Sequence, residues 1–327
     1  MIACRAPRLL IFLCACAIPA LCQNAAAPDP LHLLQSGRAD EALRVLDSRI
    51  QSSRGDANAW NLEGRVYFQL KMWDDAVRCS EKAVKLEPDN SEYHLWLGRA
   101  YGEKADSIGP VGAFNLVRKV KGELEKAVAL DTEGKNLAAR ADLAEFYAEA
   151  PGLMGGDKAK ARALIDFVTK SDAALAHSMA ANLAREQKKN DLAEREYKAA
   201  IEAGGNDARY QIMLASFYRK TGRLDEMVAV INKAAKAETR DGVALFDGAE
   251  NLLAGGRNFP GAVEMLRRYL KTENLSEDGP AFDAHFLLGQ LLERQGDPQG
   301  AAREYRAALA PASQFQRAQD ALTRVSR

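Results

Sequence analysis

Residues 57–88 read ANAWNLEGRVYFQLKMWDDAVRCSEKAVKLEP, and this stretch decides the fold of the chain. Trp60 and Gly64 are four residues apart, which places them on one face of a helix. After a short break, Ala76 and Ala83 mark one face of a second helix. Two helices joined by a short connection form a helical hairpin, so the stretch predicts one hairpin of about 30 residues.

The same pattern returns along the chain. The first of the two alanines in each second helix, or its counterpart, occurs at eight anchor positions, which are Ala42, Ala76, Val120, Ala161, Ala193, Met227, Ala262 and Ala301. These positions are 34, 44, 41, 32, 34, 35 and 39 residues apart. A single hairpin cannot bury its apolar face alone, so stacked neighbours must supply the core. The pattern predicts hairpins over residues 29–53, 57–87, 91–130, 137–170, 174–203, 208–237, 243–272 and 282–310.

This pattern resembles the tetratricopeptide repeat, a helix–turn–helix unit of about 34 residues, over nearly all of residues 29–310. The resemblance is best in residues 57–88, although Glu63 stands where the family usually has leucine and Ser80 where it prefers an aromatic residue. It implies an all-α fold, a solenoid of about eight helix-turn-helix hairpins. We expect residues 311–327 to form a C-terminal capping helix that covers the open end of the stack.

The two largest spacings indicate insertions, and we expect long loops at about 106–115 and 150–160. Insertions in adjacent hairpins emerge on the same edge of a solenoid, so the two loops should touch. Phe114 and Met154 at the loop tips either pack together or meet a partner. The glycine-rich run before Lys158 either holds an anion through its backbone N–H groups or only makes the turn before the next helix.

The N-terminus has the features of a targeting segment. Residues 1–22 combine an arginine-containing start, a short apolar run and small residues, which predicts a bacterial-type secretory signal cleaved after Cys22. Residues 23–28 are then a short linker, and no other apolar run is long enough to span a membrane. An uncleaved anchor, or a lipid anchor on Cys22 or Cys16, is the alternative. The prediction places the protein in the periplasm or outside the cell.

Charge and cysteine content narrow the class of protein. The chain has 45 basic and 45 acidic residues, and removal of the signal leaves two more acidic than basic ones. This balance weighs against a nucleic-acid partner. Cys79 is the single cysteine after residue 22, so the folded part must rely on its apolar core without an internal disulfide.

Residues for catalysis or metal binding are not grouped in this sequence. His94, His177 and His285 occupy equivalent positions in three hairpins, where whole repeats separate them from one another, so they cannot meet around one metal ion. No serine lies in a nucleophile elbow, and no glycine-rich dinucleotide motif is present. We therefore expect no enzyme activity, no catalytic residue and no cofactor.

The remaining place for function is the concave face, which the leading helices line in an array of this kind. Projection of those helices inward gives seven candidate partner-binding residues, which are Asn61, Arg65, Phe68, Arg99, Asn182, Arg185 and Arg219. Asparagine and arginine hydrogen-bond the backbone and acidic groups of an extended segment. Such side chains also simply solvate a groove, and the lysines with which some relatives grip a C-terminal carboxylate are absent.

Two functions follow from these observations. The first is an exported scaffold, monomeric or weakly self-associating, that binds a protein or peptide in its groove as an adaptor or assembly factor. The second is a receptor for a small molecule or glycan, held in a pocket between the two long loops and the groove.

Overall fold

The computed structural model describes residues 28–205, 207–236, 242–272 and 275–327, with the side chains of residues 110 and 111 excepted. The predicted signal at 1–22 and most of the predicted linker at 23–28 lie outside these residues. Within them the chain forms seventeen α-helices and no strand, which confirms the all-α fold class.

The helices alternate between a leading and a second helix of successive hairpins. The leading helices are α1 (Pro30–Gln35), α3 (Ala57–Gln69), α5 (Ser91–Ser107), α7 (Leu137–Glu149), α9 (Ala173–Glu186), α11 (Ala208–Lys220), α13 (Val243–Gly255) and α15 (Ala281–Arg294). The second helices are α2 (Ala39–Ser52), α4 (Trp73–Leu86), α6 (Gly109–Leu130), α8 (Lys158–Val168), α10 (Asn190–Ala203), α12 (Leu224–Ala234), α14 (Phe259–Tyr269) and α16 (Pro298–Leu309). The last helix, α17 (Gln316–Val325), packs against α16.

The buried positions confirm the repeat register. Seven of the eight anchor positions are 0% exposed, and the eighth, Val120, is 9% exposed. Six of the eight are alanines, whose small side chains let the second helix approach its leading helix closely. The leading helix also has a small residue at this contact: an added Cβ at Gly64 would lie 2.9 Å from the Ser80 hydroxyl oxygen, so a larger residue would push the two helices of that hairpin apart.

Local chemistry fixes where each helix begins and each hairpin turns. Side-chain oxygens of Asp56 and Asn90 accept hydrogen bonds from backbone N–H groups in the first turns of α3 and α5. Between paired helices, Gly222 and Gly296 adopt left-handed backbone angles (φ 78° and 81°) that glycine permits without strain. Lys71 takes the corresponding place in the second hairpin at φ 61°.

The expected long loop at 106–115 is wrong, because the inserted residues extend two helices. Helix α5 continues to Ser107 and α6 begins at Gly109. Gly109 turns the chain sharply (φ 75°), and Pro110 follows in the first helical turn, where its missing N–H costs no hydrogen bond. At 150–160 the chain does leave the helices, through a short 3₁₀ helix at Gly152–Met154, and this turn contacts α6 as expected for neighbouring insertions.

A repeated histidine–glutamate contact gives independent support for the position of the first insertion. His177 Nδ1 lies 2.7 Å from a carboxylate oxygen of Glu196, 19 residues later, and His285 makes the same 2.7 Å contact with Glu304, also 19 residues later. The equivalent pair in the third hairpin, His94 with Glu123, is 29 residues apart. The ten additional residues therefore lie between the leading and second helices of that hairpin, and each pair joins these two helices.

The two ends of the array pack against each other, and we call this contact the seam. Phe282 and Phe315 share one apolar cluster with Leu33 and Leu34 of α1, and all four side chains are 0% exposed. Other contacts that cross the seam are a 3.0 Å hydrogen bond from the Asp40 N–H to the Pro311 carbonyl and hydrogen bonds of 3.0 and 3.1 Å from the Ser313 N–H to the Asp40 carboxylate.

The seam converts the solenoid into a ring. Each hairpin packs against the next one along the chain, and the eighth packs against the first. The predicted capping helix is present as α17, but its buried Ala318 and Ala321 belong to the seam cluster that includes the first hairpin. The end that a solenoid usually covers with a polar cap is thus covered by the other end of the same chain.

Glu63 is an acidic residue inside the second hairpin. The residue is 4% exposed, and its carboxylate accepts a 3.5 Å hydrogen bond from the thiol of Cys79, which is 0% exposed. Burial raises the pKa of the Glu63 carboxyl above 4.5, although the hydrogen bond from Cys79 opposes this shift. Burial likewise raises the pKa of the Cys79 thiol, so Cys79 is an inert packing residue.

We expect Glu63→Leu to raise the free energy of unfolding by about 1–2 kcal/mol at pH 8, because leucine of similar volume replaces a buried carboxylate. The raised pKa means that the folded wild type takes up its proton before the unfolded chain does. The contribution of Glu63 to wild-type stability therefore becomes more favourable as the pH falls, and the gain from the substitution should be smaller at pH 5. Urea denaturation at both pH values measures this, with exposed Glu133→Leu as control, and an equal gain at both pH values would contradict it.

Candidate functional site

Leading helices line the concave face of the ring, and two cavities open on it. The small cavity has a volume of about 90 Å³ and is lined by Arg65, Phe68, Gln69, Lys71, Trp96, Glu277, Asp278, Pro280 and Asp283. The large cavity has a volume of about 470 Å³ and is lined by Glu145, Asn182, Arg185, Tyr197, Arg209, Ile212, Met213, Ser216, Val243, Asp247, Glu250, Asn251 and Asp278. Asp278 borders both, so the two cavities are neighbours on one surface.

Arg65 and Trp96 line the small cavity, and Arg99 stacks on the same tryptophan ring beside it. The guanidinium carbon of Arg65 lies 4.7 Å from the centre of the Trp96 ring, and that of Arg99 lies 4.9 Å from it. Phe68 packs edge-on against the same ring at 5.7 Å. Cation–π contact holds both guanidinium groups in place, so their donors have fixed directions. We call Arg65, Trp96 and Arg99 the arginine–tryptophan cluster.

A short acidic segment between α14 and α15, residues 275–280, reaches this cluster. Arg65 donates a 2.6 Å hydrogen bond to the Glu277 carboxylate, and Gln69 donates a 3.0 Å hydrogen bond to the Glu277 backbone carbonyl. At the other end of the segment, the Tyr269 hydroxyl donates to the Gly279 carbonyl and accepts a 3.0 Å hydrogen bond from the Ser276 N–H. The chain therefore places its own acidic turn on the concave face.

Carboxylates, including those of the acidic segment, also act on Arg99. Its Nε donates a 2.6 Å hydrogen bond to the Asp142 carboxylate on the next leading helix. Burial alone would lower the pKa of Arg99, but the charges of Asp142, Asp278 and Glu277 outweigh burial and raise it. Glu277 thus pairs with Arg65, and both acidic residues of the segment act on Arg99.

Asn182 and Arg185 both line the large cavity. The Tyr197 hydroxyl donates a 2.6 Å hydrogen bond to Asn182 Oδ1. Arg185 donates a 2.8 Å hydrogen bond to Glu149 and a 3.0 Å hydrogen bond to Glu186. These contacts fix both side chains at the wall of the cavity.

Arg219 extends this row on the next leading helix. Its Nε donates a 3.0 Å hydrogen bond to Asn251 Oδ1, which also accepts a 2.9 Å hydrogen bond from the Ser216 hydroxyl. The Asn251 amide nitrogen donates a 2.9 Å hydrogen bond to the Asp247 carbonyl. Hydrogen bonds therefore connect the polar side chains of α11 with those of α13.

The large cavity is also lined by acidic side chains. Glu145, Asp247, Glu250 and Asp278 line it together with two arginines. Desolvation raises the pKa of the Glu145 carboxyl, and the nearby carboxylates of Glu149 and Asp142 raise it further. The concave face therefore carries both signs of charge side by side.

One predicted groove residue is wrong, since Asn61 lies inside the protein. It is 1% exposed, and its side-chain oxygen is buried without a hydrogen-bond partner in the described part of the chain. Helix α3 packs against α1 and α5 as well as α4, which leaves a narrower inner strip than the sequence pattern predicts. Arg65 and Phe68 occupy that strip, and Asn61 lies to its side.

The loop candidates lie apart from the groove. Phe114 and Met154 line an open cavity of about 440 Å³, and none of its lining residues borders the small or the large cavity. This cavity is therefore separate from the small and the large cavity, and the first insertion lengthens two helices instead of forming a long loop. Lys158 is exposed at the start of α8, where the Asp157 carboxylate caps the helix, as the turn interpretation expects.

The sequence pattern does not predict three residues that line the small cavity: Trp96, Gln69 and Glu277. Trp96 lies on α5 three residues before the predicted Arg99, so the two side chains share one face of the helix. Gln69 and Glu277 meet across 208 residues of sequence, and no local pattern indicates such a contact.

Within the residues that the structure describes, no group of three or more histidine, cysteine, aspartate or glutamate side chains is arranged to hold a metal ion. None of the described helices combines the length and the apolar character that a bilayer crossing requires.

Comparison with known families identifies the repeat. A family model described as a tetratricopeptide repeat matches residues 178–241 and 246–316, and a second one, described as a TPR repeat, matches residues 64–104. The chain is a tetratricopeptide repeat protein. These matches cover repeats on both sides of the fourth hairpin, in agreement with the hairpins of the structure.

Individual relatives of this tetratricopeptide repeat protein are distant. It is 25% identical over 253 residues to Superkiller complex protein 3 of Mus musculus, a match that covers 76% of this chain and 15% of that protein. Yeast Tom70 superposes with a TM-score of 0.52 at 16% identity, over 88% of this chain and 58% of Tom70. A tetratricopeptide repeat protein from Parabacteroides merdae gives a TM-score of 0.41 at 16% identity, over 83% and 99%.

The chain thus spans 15% of the curated relative and 58% of Tom70, and the structural likeness concerns the fold alone. Tetratricopeptide repeats are scaffolds for protein–protein interaction and are in general not catalytic. A protein partner is accordingly the class of ligand that the fold of this tetratricopeptide repeat protein indicates.

Proposed function

We propose that this tetratricopeptide repeat protein is an exported scaffold that binds an extended segment of another protein on its concave face and performs no catalysis. The observation that carries the proposal is a row of polar side chains, each held by hydrogen bonds, on four of the leading helices. This row runs from Arg65 and Arg99 through Asn182 and Arg185 to Arg219. An extended chain presents backbone and side-chain groups at short intervals, and such a row offers partners for them.

The network of hydrogen bonds supports binding by exchange of partners. Arg65, Arg99 and Arg185 are each paired with a carboxylate of this chain. A ligand segment would replace some of these intramolecular contacts, so its affinity should come from several modest contacts. Phe68 and Trp96 add an aromatic surface of the kind that often anchors a bound segment.

The exported location rests on the sequence of residues 1–22. Its test is recovery of the chain from the cell-envelope fraction of its native host, followed by N-terminal sequencing. We expect Gln23 as the first residue, and a chain that begins at Met1 in the interior of the cell would contradict the exported role.

The binding role is tested by affinity capture with that mature chain. We expect Arg99→Gln/Arg185→Gln to reduce capture of the partner at least tenfold, because both arginines lose their donors on the concave face. The readout is the amount of each captured protein, quantified by mass spectrometry beside the wild type.

The matched control is Arg223→Gln. Arg223 is also stacked on an aromatic ring, with its guanidinium carbon 4.4 Å from the centre of Tyr218, and it also pairs with a glutamate, Glu194. Neither Arg223 nor its contacts Tyr218 and Glu194 line a concave cavity, whereas Arg185 lines the large cavity and Arg99 stacks on Trp96 of the small one. Retention of the partner by this control and loss by the double variant support the proposal. Equal retention by both variants would overturn it.

A further inference from the structure

The acidic segment at residues 275–280 is held as a bound peptide is held. Arg65 donates a hydrogen bond to the Glu277 side chain, and Gln69 donates one to the Glu277 backbone carbonyl. Gly279 packs so closely on Phe246 that an added Cβ would lie 2.9 Å from its ring. The site therefore contacts three features of the segment: a side-chain carboxylate, a backbone carbonyl and a glycine. Together these three features define an acidic turn.

The arginine–tryptophan cluster suits carboxylates in particular. An arginine stacked on an aromatic ring keeps its planar donors fixed, and such donors pair strongly with carboxylates. Glu277 uses Arg65, while Asp278 is exposed on the boundary of the two cavities and makes none of the ion pairs found among the described residues. Asp278 and Glu277 both act electrostatically on Arg99, so the cluster attracts two adjacent acidic side chains.

The intramolecular contact leaves hydrogen-bonding capacity unused. Arg65 Nε, Gln69 Oε1 and Asp283 Oδ1 are buried without a partner in the described part of the chain, and all three residues line the small cavity. Asp283 is 8% exposed. Buried polar atoms without partners cost free energy, so the segment does not satisfy this site completely. A ligand that satisfies more of these atoms can compete with it.

We infer that the arginine–tryptophan cluster is the recognition site for an internal acidic turn of the partner protein, and that residues 276–279 occupy this site in cis as its stand-in. The inference rests on the proposed function and adds the chemical class of the partner and a means of control. Binding requires exchange of the chain's own Glu277 and Asp278 for the acidic residues of the partner. The wild type should therefore bind such a segment more weakly than a chain whose own segment has lost its charge.

The probe is a synthetic peptide, LSEDGPA, with the sequence of residues 275–281 and with both ends capped. The caps remove any contribution from a terminal carboxylate. We expect Glu277→Gln/Asp278→Asn to bind this peptide at least tenfold more tightly than the wild type does. The neutral peptide LSQNGPA should bind to neither chain. Calorimetric titration measures all four affinities.

Further substitutions in the same background locate the binding site. Adding Arg65→Gln should remove peptide binding, whereas adding Arg223→Gln, the stacked and paired arginine outside the cavities, should leave it unchanged. Equal peptide affinity of the wild type and the charge-neutral variant would overturn the inference. So would the absence of binding to a charge-neutral variant whose circular dichroism and melting temperature match those of the wild type.

A measurement on the unaltered chain covers the case in which the charge-neutral variant does not fold. In the wild type the Ser276 N–H donates to Tyr269 and the Gly279 N–H donates to the Ser276 carbonyl, so both amides should be protected from hydrogen exchange. Saturating LSEDGPA should increase exchange of the segment 275–280, and unchanged exchange would overturn the inference. If the peptide does not bind but the wild type still captures a partner protein, the further inference fails and the proposed function stands. If the peptide binds but no partner depends on the concave arginines, only the proposed function fails.

Discussion

Replacement of Phe315 by alanine should lower the free energy of unfolding by about 3–5 kcal/mol, which is the usual cost of deleting a fully buried aromatic side chain. Phe315 is 0% exposed and lies edge-on to two other rings, with centroid distances of 5.0 Å to Phe282 and 5.4 Å to Phe286. These rings join α15 and α17 to the apolar residues of the first hairpin. The cavity left by the truncation would therefore lie in the seam.

Urea denaturation measures the loss of stability, and hydrogen exchange shows where it acts. The amides of Asp40 and Ser313 donate hydrogen bonds across the seam, so they should exchange faster in Phe315→Ala. The matched control is Phe217→Ala, which deletes a ring that is 1% exposed and packs on Tyr197 in another part of the core. Phe217→Ala should lower the free energy of unfolding by a similar amount, but the amides of Asp40 and Ser313 should remain protected from exchange. The same exchange pattern in both variants would contradict a distinct seam.

Arg140→Ala should be equally costly, at about 3–5 kcal/mol, because it leaves a buried carboxylate without its partner. The side chains of Arg140 and Asp131 are 6% and 9% exposed, and the two form a close ion pair. Arg140 also donates hydrogen bonds of 3.2 Å to the carbonyls of Asn136 and Asp131 and stacks over Phe167 at 4.5 Å. This one side chain holds the connection between α6 and α7.

The loss should depend on pH in a defined direction. Burial alone would raise the pKa of Asp131, but hydrogen bonds from Arg140 and from the backbone lower it below 3.8. The contribution of the pair is therefore complete above this value and is lost as the pH falls below it. The difference in stability between wild type and variant should be largest at pH 7 and smaller at pH 3.

The control for Arg140 is an exposed pair of the same residue types. Arg78 donates to Asp75 on the surface of α4, with side-chain exposures of 53% and 37%. Arg78→Ala should change stability by less than about 1 kcal/mol, since exposed ion pairs contribute little. Denaturation curves at pH 7 compare the two variants, and similar losses would contradict the importance of burial.

Local spacing was sufficient to predict the hairpins. Glycine, alanine and aromatic positions at helical intervals report which faces of neighbouring helices meet, and such contacts recur within each unit. Spacing alone does not predict the structure of residues 106–115, where glycine and proline are typical of a loop but two helices meet. Gly109 there makes a sharp turn and Pro110 begins a helix, a role that proline fills at the first helical position.

The site was only partly predictable. Arg65, Phe68, Asn182 and Arg185 line the two concave cavities, while Arg99 and Arg219 contact lining residues, Trp96 and Asn251. Their partners were not predictable, since contacts such as the one between Arg65 and Glu277 join residues 212 positions apart. Pairings of this kind depend on closure of the whole array, which no repeat contains in its own sequence.

Closure of the array also constrains how this protein can evolve. A linear stack of repeats tolerates duplication or deletion of one unit, because the remaining units keep their neighbours. Here the rotation contributed by eight units must bring Phe315 back to Leu33, and a ninth or a missing unit would separate them. The copy number of the repeat should therefore be fixed among its descendants, and sequence change should be confined to substitutions and to insertions within a unit.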